Sequence, residues 1–332
     1  MKLLKWLGII ILLLILTYFI GPRPAAPVYD TVLPKVPAAA ADLEQYIRFQ
    51  ESQHKLKPDN EARIIWLNDS LREKTEYAVV YLHGFSASQE EGDPLHYEFA
   101  QKYGCNLYLS RLDGHGLDTT EPLGSFTAQG LWNSAKEAYA IGKQLGKKVI
   151  LLATSTGGTI ALKLAAEYPD IAGVILYSPN IAINDSRAWM LNNPWGKQIA
   201  ELIKGKYVHV ADTTALYARY WDNKYRIEAT VQLEELLETT MKESTFSKIH
   251  QPALLLYYYK DDEHQDPVVK VSAMKRMFAQ LSTPDSLKRA VAIPNAGDHV
   301  LGSYVKSKDI PKVEEETEKF AEEVLKMQAI RQ

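Results

Sequence analysis

Ser155 is the residue of this chain best placed to do chemistry. It interrupts Val149-Ile-Leu-Leu-Ala-Thr-Ser-Thr-Gly-Gly158, where an apolar run reading as a buried parallel strand meets the helical pattern Thr159-Ile-Ala-Leu-Lys-Leu-Ala-Ala-Glu167. Small residues, Ala153 and Gly157, lie two before and two after it. A serine on so tight a strand-to-helix turn is a nucleophile elbow. Bulky flanking side chains would collide, the hydroxyl stands clear of the sheet, and the following helix N-terminus favours negative charge at the attack site. Ala153 stands where such turns usually carry a first glycine, and one methyl fits there. The chemistry on offer is acyl transfer, in which the carbonyl oxygen of the substrate becomes an oxyanion that needs backbone N–H donors. Taken alone, the five residues would also suit an ordinary strand-turn-helix with a capping serine.

The donors have sources in the sequence. Thr156 follows the nucleophile, and the loop after the strand-like Tyr77-Ala-Val-Val-Tyr-Leu-His-Gly-Phe-Ser-Ala-Ser88 points to Phe85 as the second. His83 reads as a structural residue of that loop. His115, in Arg111-Leu-Asp-Gly-His-Gly116, reads as another loop residue and not as a base. A further strand, Pro252-Ala-Leu-Leu-Leu-Tyr-Tyr-Tyr259, runs into a loop offering Asp261, Asp262, Glu263 and Asp266. Counting along the strand favours Asp261 or Asp262. A triad needs only one of these carboxylates, and the others are expected in solvent.

His-Gly-Phe-Ser86, Asp-Gly-His-Gly116 and the Ser155 elbow, in this order and spacing, resemble the α/β-hydrolase superfamily. Within it the chain is most similar to carboxylesterases and monoacylglycerol-lipase-like serine hydrolases, over roughly residues 60 to 330. The resemblance implies an α/β fold: a mostly parallel sheet with helices on both faces and a helical cap insertion. It also implies the triad order Ser, acid, His. His299, in Val291-Ala-Ile-Pro-Asn-Ala-Gly-Asp-His-Val300, occupies the kind of loop where the family holds its base; His54, His96, His209 and His250 do not. Asp266-Pro-Val-Val269, followed by the helical Val271-Ser-Ala-Met-Lys-Arg-Met277, resembles the family's Asp-x-x-Val-helix pattern, which favours Asp266 as the acid with Asp262 as the alternative. The implied activity is hydrolysis of a small-molecule or lipid ester through an acyl-enzyme, with no cofactor and no metal. An acyltransferase, a thioesterase, an amidase or peptidase, or a non-catalytic scaffold are the alternatives on the same fold.

The elements that must position these residues are legible in outline. With 332 residues and 46% hydrophobic content, residues 41–332 suit one large α/β domain better than two small ones. A net charge of −3 leaves no basic footprint for nucleic acid, and the lone Cys105 excludes an internal disulfide. No Cys/His cluster has zinc-ligand spacing, and no phosphate-binding Gly-x-x-x-x-Gly-Lys loop is present. A helix from about Ala40 to Lys55 and a strand near Ala62–Leu67 lead into alternating strands and helices through Tyr177, the pattern of a parallel sheet. Alternation breaks over 180–251, which lacks an obvious strand and shows helical patterns at Trp195–Ile203 and Thr230–Met241. That segment, holding Trp189, Trp195, Tyr207, Tyr217, Tyr220, Trp221 and Tyr225, is expected to cap the site, with most of its aromatics forming the cap's own core. Alternation resumes at Ala253 and ends in an amphipathic helix from about Val313 to Met327.

The N-terminus carries its own expectation. Lys2 and Lys5 precede the apolar Trp6–Ile20, and counted from Leu3 the run reaches about 18 residues, near the lower limit of a membrane span. The bulky Leu16-Thr-Tyr-Phe-Ile20 offers no small-x-small cleavage site, so the reading is an uncleaved signal anchor over 1–21. The lysines predict an N-in orientation with the catalytic domain outside the cytoplasm, periplasmic in a bacterium. The proline-rich 22–40 then reads as a semi-extended spacer holding that domain off the bilayer.

Overall fold

Apolar runs with strand-like side-chain alternation form a seven-stranded sheet in the computed structural model, which describes residues 2–330. Its strands are β1 (Arg63–Ile65), β2 (Thr75–Leu82), β3 (Asn106–Leu109), β4 (Gly146–Thr154), β5 (Gly173–Tyr177), β8 (Ala253–Tyr257) and β9 (Lys288–Ala292), in the spatial order β1-β3-β2-β4-β5-β8-β9. Two further strands, β6 (Tyr207–His209) and β7 (Lys224–Arg226), make a separate antiparallel ribbon. Only β1 breaks the parallel run, pairing antiparallel with β3 at Ile64 and Tyr108.

Side chains alternate across the pleat, so each central strand feeds two cores. Ala78, Val80 and Leu82 of β2, with Leu151 and Ala153 of β4, face one side. There they meet the helices α2 (Ala40–Ser52), α4 (Ala128–Leu145), α5 (Thr156–Glu167), α8 (Ile227–Thr240), α9 (Glu243–Phe246) and α10 (Val271–Ala279). Val79 and Tyr81, with Ile150 and Leu152, face the other, where α3 (Leu95–Lys102) and α11 (Ile310–Glu323) pack. At roughly 1.5–3 kcal/mol for each large apolar side chain fully buried, these two layers are the main stabilisation of the fold. Since β2, β4, β8 and β9 run parallel, the loops that follow them leave the same edge of the sheet, where open α/β sheets bind ligands. Those loops carry Phe85, Ser155, Asp266 and His299.

The segment between β5 and β8 holds α6 (Gly196–Lys204), α7 (Ala215–Tyr220), α8, α9 and the β6–β7 ribbon. The ribbon departs from the expectation of an all-helical insertion. Its strands have three residues each, too short for an alternating pattern to register. The stretch 22–40 is extended but does not stand free. Trp132 Nε1 donates to the Asp30 carbonyl at 2.7 Å, Lys136 pairs with the Asp30 carboxylate at 2.6 Å, and the Tyr168 hydroxyl donates to the Thr31 carbonyl at 3.0 Å. These bonds lay it as a strap across α4 and α5.

The N-terminal expectation is overturned. Among the described residues no helix is long and apolar enough to cross a membrane. Helix α1 (Lys2–Phe19) has 18 residues, which rise only about 27 Å, and Lys5 confines its uninterrupted apolar part to Trp6–Phe19, a rise of about 21 Å against a hydrocarbon core of about 30 Å. The helix end is also engaged by protein, since Trp195 donates through Nε1 to the Thr17 carbonyl and through its backbone N–H to Pro22, both at 2.9 Å. The membrane anchor and the extracytoplasmic location inferred from it therefore have no spanning helix to rest on.

Candidate active site

Strand β4 ends at Thr154 and helix α5 begins at Thr156, leaving Ser155 alone in the turn with φ 53° and ψ −119°. That left-handed conformation is strained for a residue with a side chain and is kept only where surroundings enforce it. Backbone bonds do so here: Ser155 N–H donates to Tyr177 O at 2.9 Å, and Ser155 O accepts from Asn180 N–H at 2.9 Å. The small flanking residues follow from packing. A β-carbon on Gly157 would lie 1.9 Å from the Leu82 carbonyl oxygen, far inside van der Waals contact, so nothing larger than glycine fits. Ala153 is fully buried in the sheet core, and its methyl is accommodated.

His299 and Asp266 meet at the same edge. His299 Nδ1 lies 2.6 Å from Asp266 Oδ2, while Asp266 Oδ1 accepts the N–H groups of Val268 and Val269 at 2.8 and 3.0 Å. Both side chains are buried. Burial works against each charged form, but in each case the partner outweighs it. The Asp266 carboxylate, helped by Glu91 and Asp298, raises the His299 pKa above 6.5, and His299 with the two backbone N–H groups lowers that of Asp266. His299 Nε2 has no partner among the described residues, and the residues His299 and Ser155 line one cavity. The other loop carboxylates lie elsewhere. Asp262 is exposed and accepts the Tyr259 hydroxyl at 2.9 Å, Asp261 is exposed and pairs with His264, and Glu263 is exposed.

Phe85 and Thr156 border the cavity beside Ser155, and among the described residues neither backbone N–H donates to a protein acceptor. The Phe85 loop is gripped on three sides. His83 Nε2 accepts the Leu112 N–H at 3.0 Å, which puts the proton on Nδ1, where it is donated to the Gly84 carbonyl at 3.0 Å. Glu91 Oε2 accepts the Gly84 N–H at 2.5 Å, and the Asp222 N–H donates to the Ser86 carbonyl at 2.7 Å. His83 is wholly buried, and desolvation lowers its pKa to about 4. His115 stacks edge-on to it at 4.9 Å and is held neutral by the same cause. Both are neutral struts, remote from the role of a base.

The cavity has a volume of about 550 Å³. Its polar end carries Ser155, His299, Glu91 and Asn180, and its remaining wall is largely aliphatic, with Ile183, Leu191, Ile199, Val208 and Leu233 among its members. Most of that wall belongs to the segment between β5 and β8. Of the aromatics there, Tyr217, Trp221 and Tyr225 reach the cavity; Trp221 stacks on Tyr217 at 5.2 Å and Phe85 packs edge-on against Tyr225. Trp189 is exposed, Trp195 sits on the end of α1, and Tyr220 donates its hydroxyl to Asp59.

A model of the family described as serine aminopeptidase, S33, matches residues 73–294, two thirds of the chain. The chain belongs to this family of α/β-hydrolases. A thermostable monoacylglycerol lipase from Bacillus sp. (strain H-257) is 34% identical over 97 residues, 29% of this chain and 38% of that protein. The solved structure reported for LipS and LipT, two metagenome-derived lipolytic enzymes, superposes with a TM-score of 0.64 at 16% identity, over 80% of this chain and 98% of that one. A soluble variant of the monoglyceride lipase of Saccharomyces cerevisiae, bound to a substrate analogue, gives 0.58 at 12% identity, over 90% and 98%. At such identities the structural likeness establishes the fold, which is the α/β-hydrolase architecture of the mostly parallel sheet described above.

Two S33-chain residues at the site carry no signal in the sequence. Glu91 lies in the polar stretch Ser86-Ala-Ser-Gln-Glu-Glu-Gly92, whose composition suggests a solvated loop, yet it is 2% exposed. Asp222 is likewise buried, paired with Lys57 at 2.6 Å across 165 positions of sequence. Cys105, by contrast, is buried with its thiol pushed up to about 12, and is inert.

Proposed function

We propose that this S33-family chain is a serine hydrolase that cleaves carboxylic esters, with Ser155 as nucleophile, His299 as base and Asp266 as the acid that orients it. In this reading His299 Nε2 takes the Ser155 proton as Oγ attacks the ester carbonyl. The resulting oxyanion takes the N–H groups of Phe85 and Thr156. Collapse breaks the acyl C–O bond, and His299 returns the proton to the departing alcohol. Water, deprotonated by His299, then attacks the acyl-enzyme and releases the acid, restoring Ser155. Asp266 stays ionised throughout, stabilising the imidazolium.

The single observation that carries the reading is the buried His299–Asp266 pair with its unpartnered Nε2, His299 lining the same cavity as Ser155, Phe85 and Thr156, the last two with backbone N–H groups unengaged among the described residues. The aliphatic wall supports an apolar acyl group as the part of the substrate held under the cap. The lipolytic names of the relatives agree with a lipid-derived or small ester. The unit we assign to this activity is 41–332, with 180–251 as its cap. Labelling the full chain with a fluorophosphonate and mapping the adduct tests it. The expected result is modification at Ser155, abolished by His299→Ala, together with turnover of p-nitrophenyl esters. Folded protein that neither labels nor hydrolyses any ester refutes it.

A further inference from the structure

A buried carboxylate that takes no part in the triad lies within the active site. Glu91 is 2% exposed, at the end of a single helical turn over Gln89–Gly92. Enclosing an ionisable group this completely costs several kcal/mol. Among the described residues the carboxylate accepts one backbone N–H, that of Gly84, at Oε2 from 2.5 Å. Gly84 is wedged between this carboxylate and the nucleophile: a β-carbon there would stand 2.8 and 2.9 Å from the two Glu91 oxygens and 3.0 Å from Ser155 Cβ.

We propose that Glu91 is a positioning residue whose carboxylate, by holding the Gly84 N–H, fixes the direction of the Phe85 N–H toward the oxyanion. The inference rests on the role given above to Phe85. Glycine has the widest choice of φ and ψ of any residue, so the peptide joining Gly84 to Phe85 has no intrinsic direction. Its carbonyl is held by His83 Nδ1 at 3.0 Å, opposite the Phe85 N–H in the same peptide plane. Glu91 holds the preceding N–H, so Gly84 is clamped on both sides and its two torsions lose their freedom. An oxyanion donor works by being aimed before charge appears, and an error of about 1 Å costs on the order of 10²-fold.

The groups that face Glu91 are His299, Asp298, Tyr81, Tyr217 and the Trp221 indole. Desolvation raises the Glu91 pKa to about 7, against the Gly84 N–H, His299 and Trp221, which favour the charged form. Ionised Glu91 in turn raises the pKa of His299. A glutamine at 91 keeps an oxygen for Gly84 but removes this charge, so His299 then loses its proton at lower pH.

Glu91→Ala and Glu91→Gln in the full chain, assayed on p-nitrophenyl butyrate with labelling rates at Ser155, test the proposal. The alanine variant is expected to lose roughly 10- to 100-fold in kcat with KM within about threefold, short of the ~10²–10³ for deleting a donor outright. The glutamine variant is expected to recover most of that loss and to move the acid limb of kcat/KM to lower pH, a shift that a merely structural role would not produce. Two variants at the wild-type rate overturn it wherever the acid limb lies, as do equal losses in both. If the alanine variant does not fold, Glu91→Leu, which keeps the bulk but offers no acceptor to the Gly84 N–H, decides by the same loss in kcat. Wild-type protein that neither labels nor turns over an ester removes the oxyanion site itself and the proposal with it, a failure recognisable because no variant is involved.

Discussion

Asp266→Asn separates the proposed triad from a chance pairing, because the hydrogen bonds around this carboxylate dictate what the amide must do. Oδ1 accepts two backbone N–H groups, from Val268 and Val269, and Oδ2 accepts His299 Nδ1–H. An asparagine has one oxygen. Two N–H donors from the chain outcompete one from a side chain, so the amide oxygen turns to Val268 and Val269 and its NH₂ faces His299. Nδ1 must then become the acceptor, which moves the imidazole proton to Nε2. A histidine protonated at Nε2 cannot take the Ser155 proton. The tautomer penalty in a Ser-His-Asp system of this type is about 10⁴ in kcat, and at ~1.36 kcal/mol per tenfold that is ~5.4 kcal/mol of lost transition-state stabilisation. Asp262→Asn is the control, since Asp262 is exposed and, among the described residues, its carboxylate accepts only the Tyr259 hydroxyl; it is expected to stay within about twofold, as surface changes do. The assay is kcat and kcat/KM on p-nitrophenyl butyrate at pH 8, with circular dichroism melts to show that both variants are folded. Retention of more than a tenth of the wild-type kcat by folded Asp266→Asn would refute the reasoning. So would a large loss in Asp262→Asn.

Other consequences follow from the same geometry. The acid limb of kcat/KM should have its midpoint above the ordinary histidine value of 6.5, because Asp266 raises the His299 pKa and activity requires the neutral ring; a limb centred below 6.5 contradicts this. His83 and His96 are buried neutral, with pKa values lowered by desolvation to about 4 and about 3, so the unfolded chain binds their protons first and stability falls as pH drops from 6.5 toward 4, by up to ~3 kcal/mol from His83 alone; urea titrations across that range measure it. Gly157→Ala should destabilise the fold by about 3 kcal/mol or more, or prevent expression, because its methyl would sit 1.9 Å from the Leu82 carbonyl oxygen of the central sheet, and an unchanged melting temperature would contradict that. Ile183→Trp should fill part of the aliphatic wall and lower kcat/KM about tenfold for a p-nitrophenyl octanoate while leaving the acetate within about threefold, and equal effects on both esters would mean the acyl chain lies elsewhere.

What the sequence discloses about this chain divides by the range of the interactions involved. Strand runs of five to nine residues with alternating faces, such as β2, β4 and β8, announce themselves, and so the parallel sheet and the elbow at Ser155 are legible. The β6–β7 ribbon is not, because three residues per strand carry no period. The N-terminal run misled for a related reason: a hydropathy count averages across Lys5, whereas a helix must fit its uninterrupted apolar length to the bilayer. Asp262 and Asp266 are four residues apart in one acidic loop, and composition treats them alike. What distinguishes them is the turn at Asp266-Pro-Val-Val269, which folds two N–H groups back onto Asp266 and draws it beneath His299, a residue 33 positions away. Glu91 and Asp222 are the extreme case. Nothing local tells a buried acid from a solvated one, because its burial is decided by elements such as Trp221 and Lys57 that arrive from distant parts of the chain. Both residues grip the Phe85 loop, Glu91 by its carboxylate at Gly84 and Asp222 by its backbone N–H at Ser86. A nucleophile can be read from a strand and a turn, but the donors that would make it effective are aimed by long-range contacts, and it is there that substitutions outside any motif should change rate without changing fold.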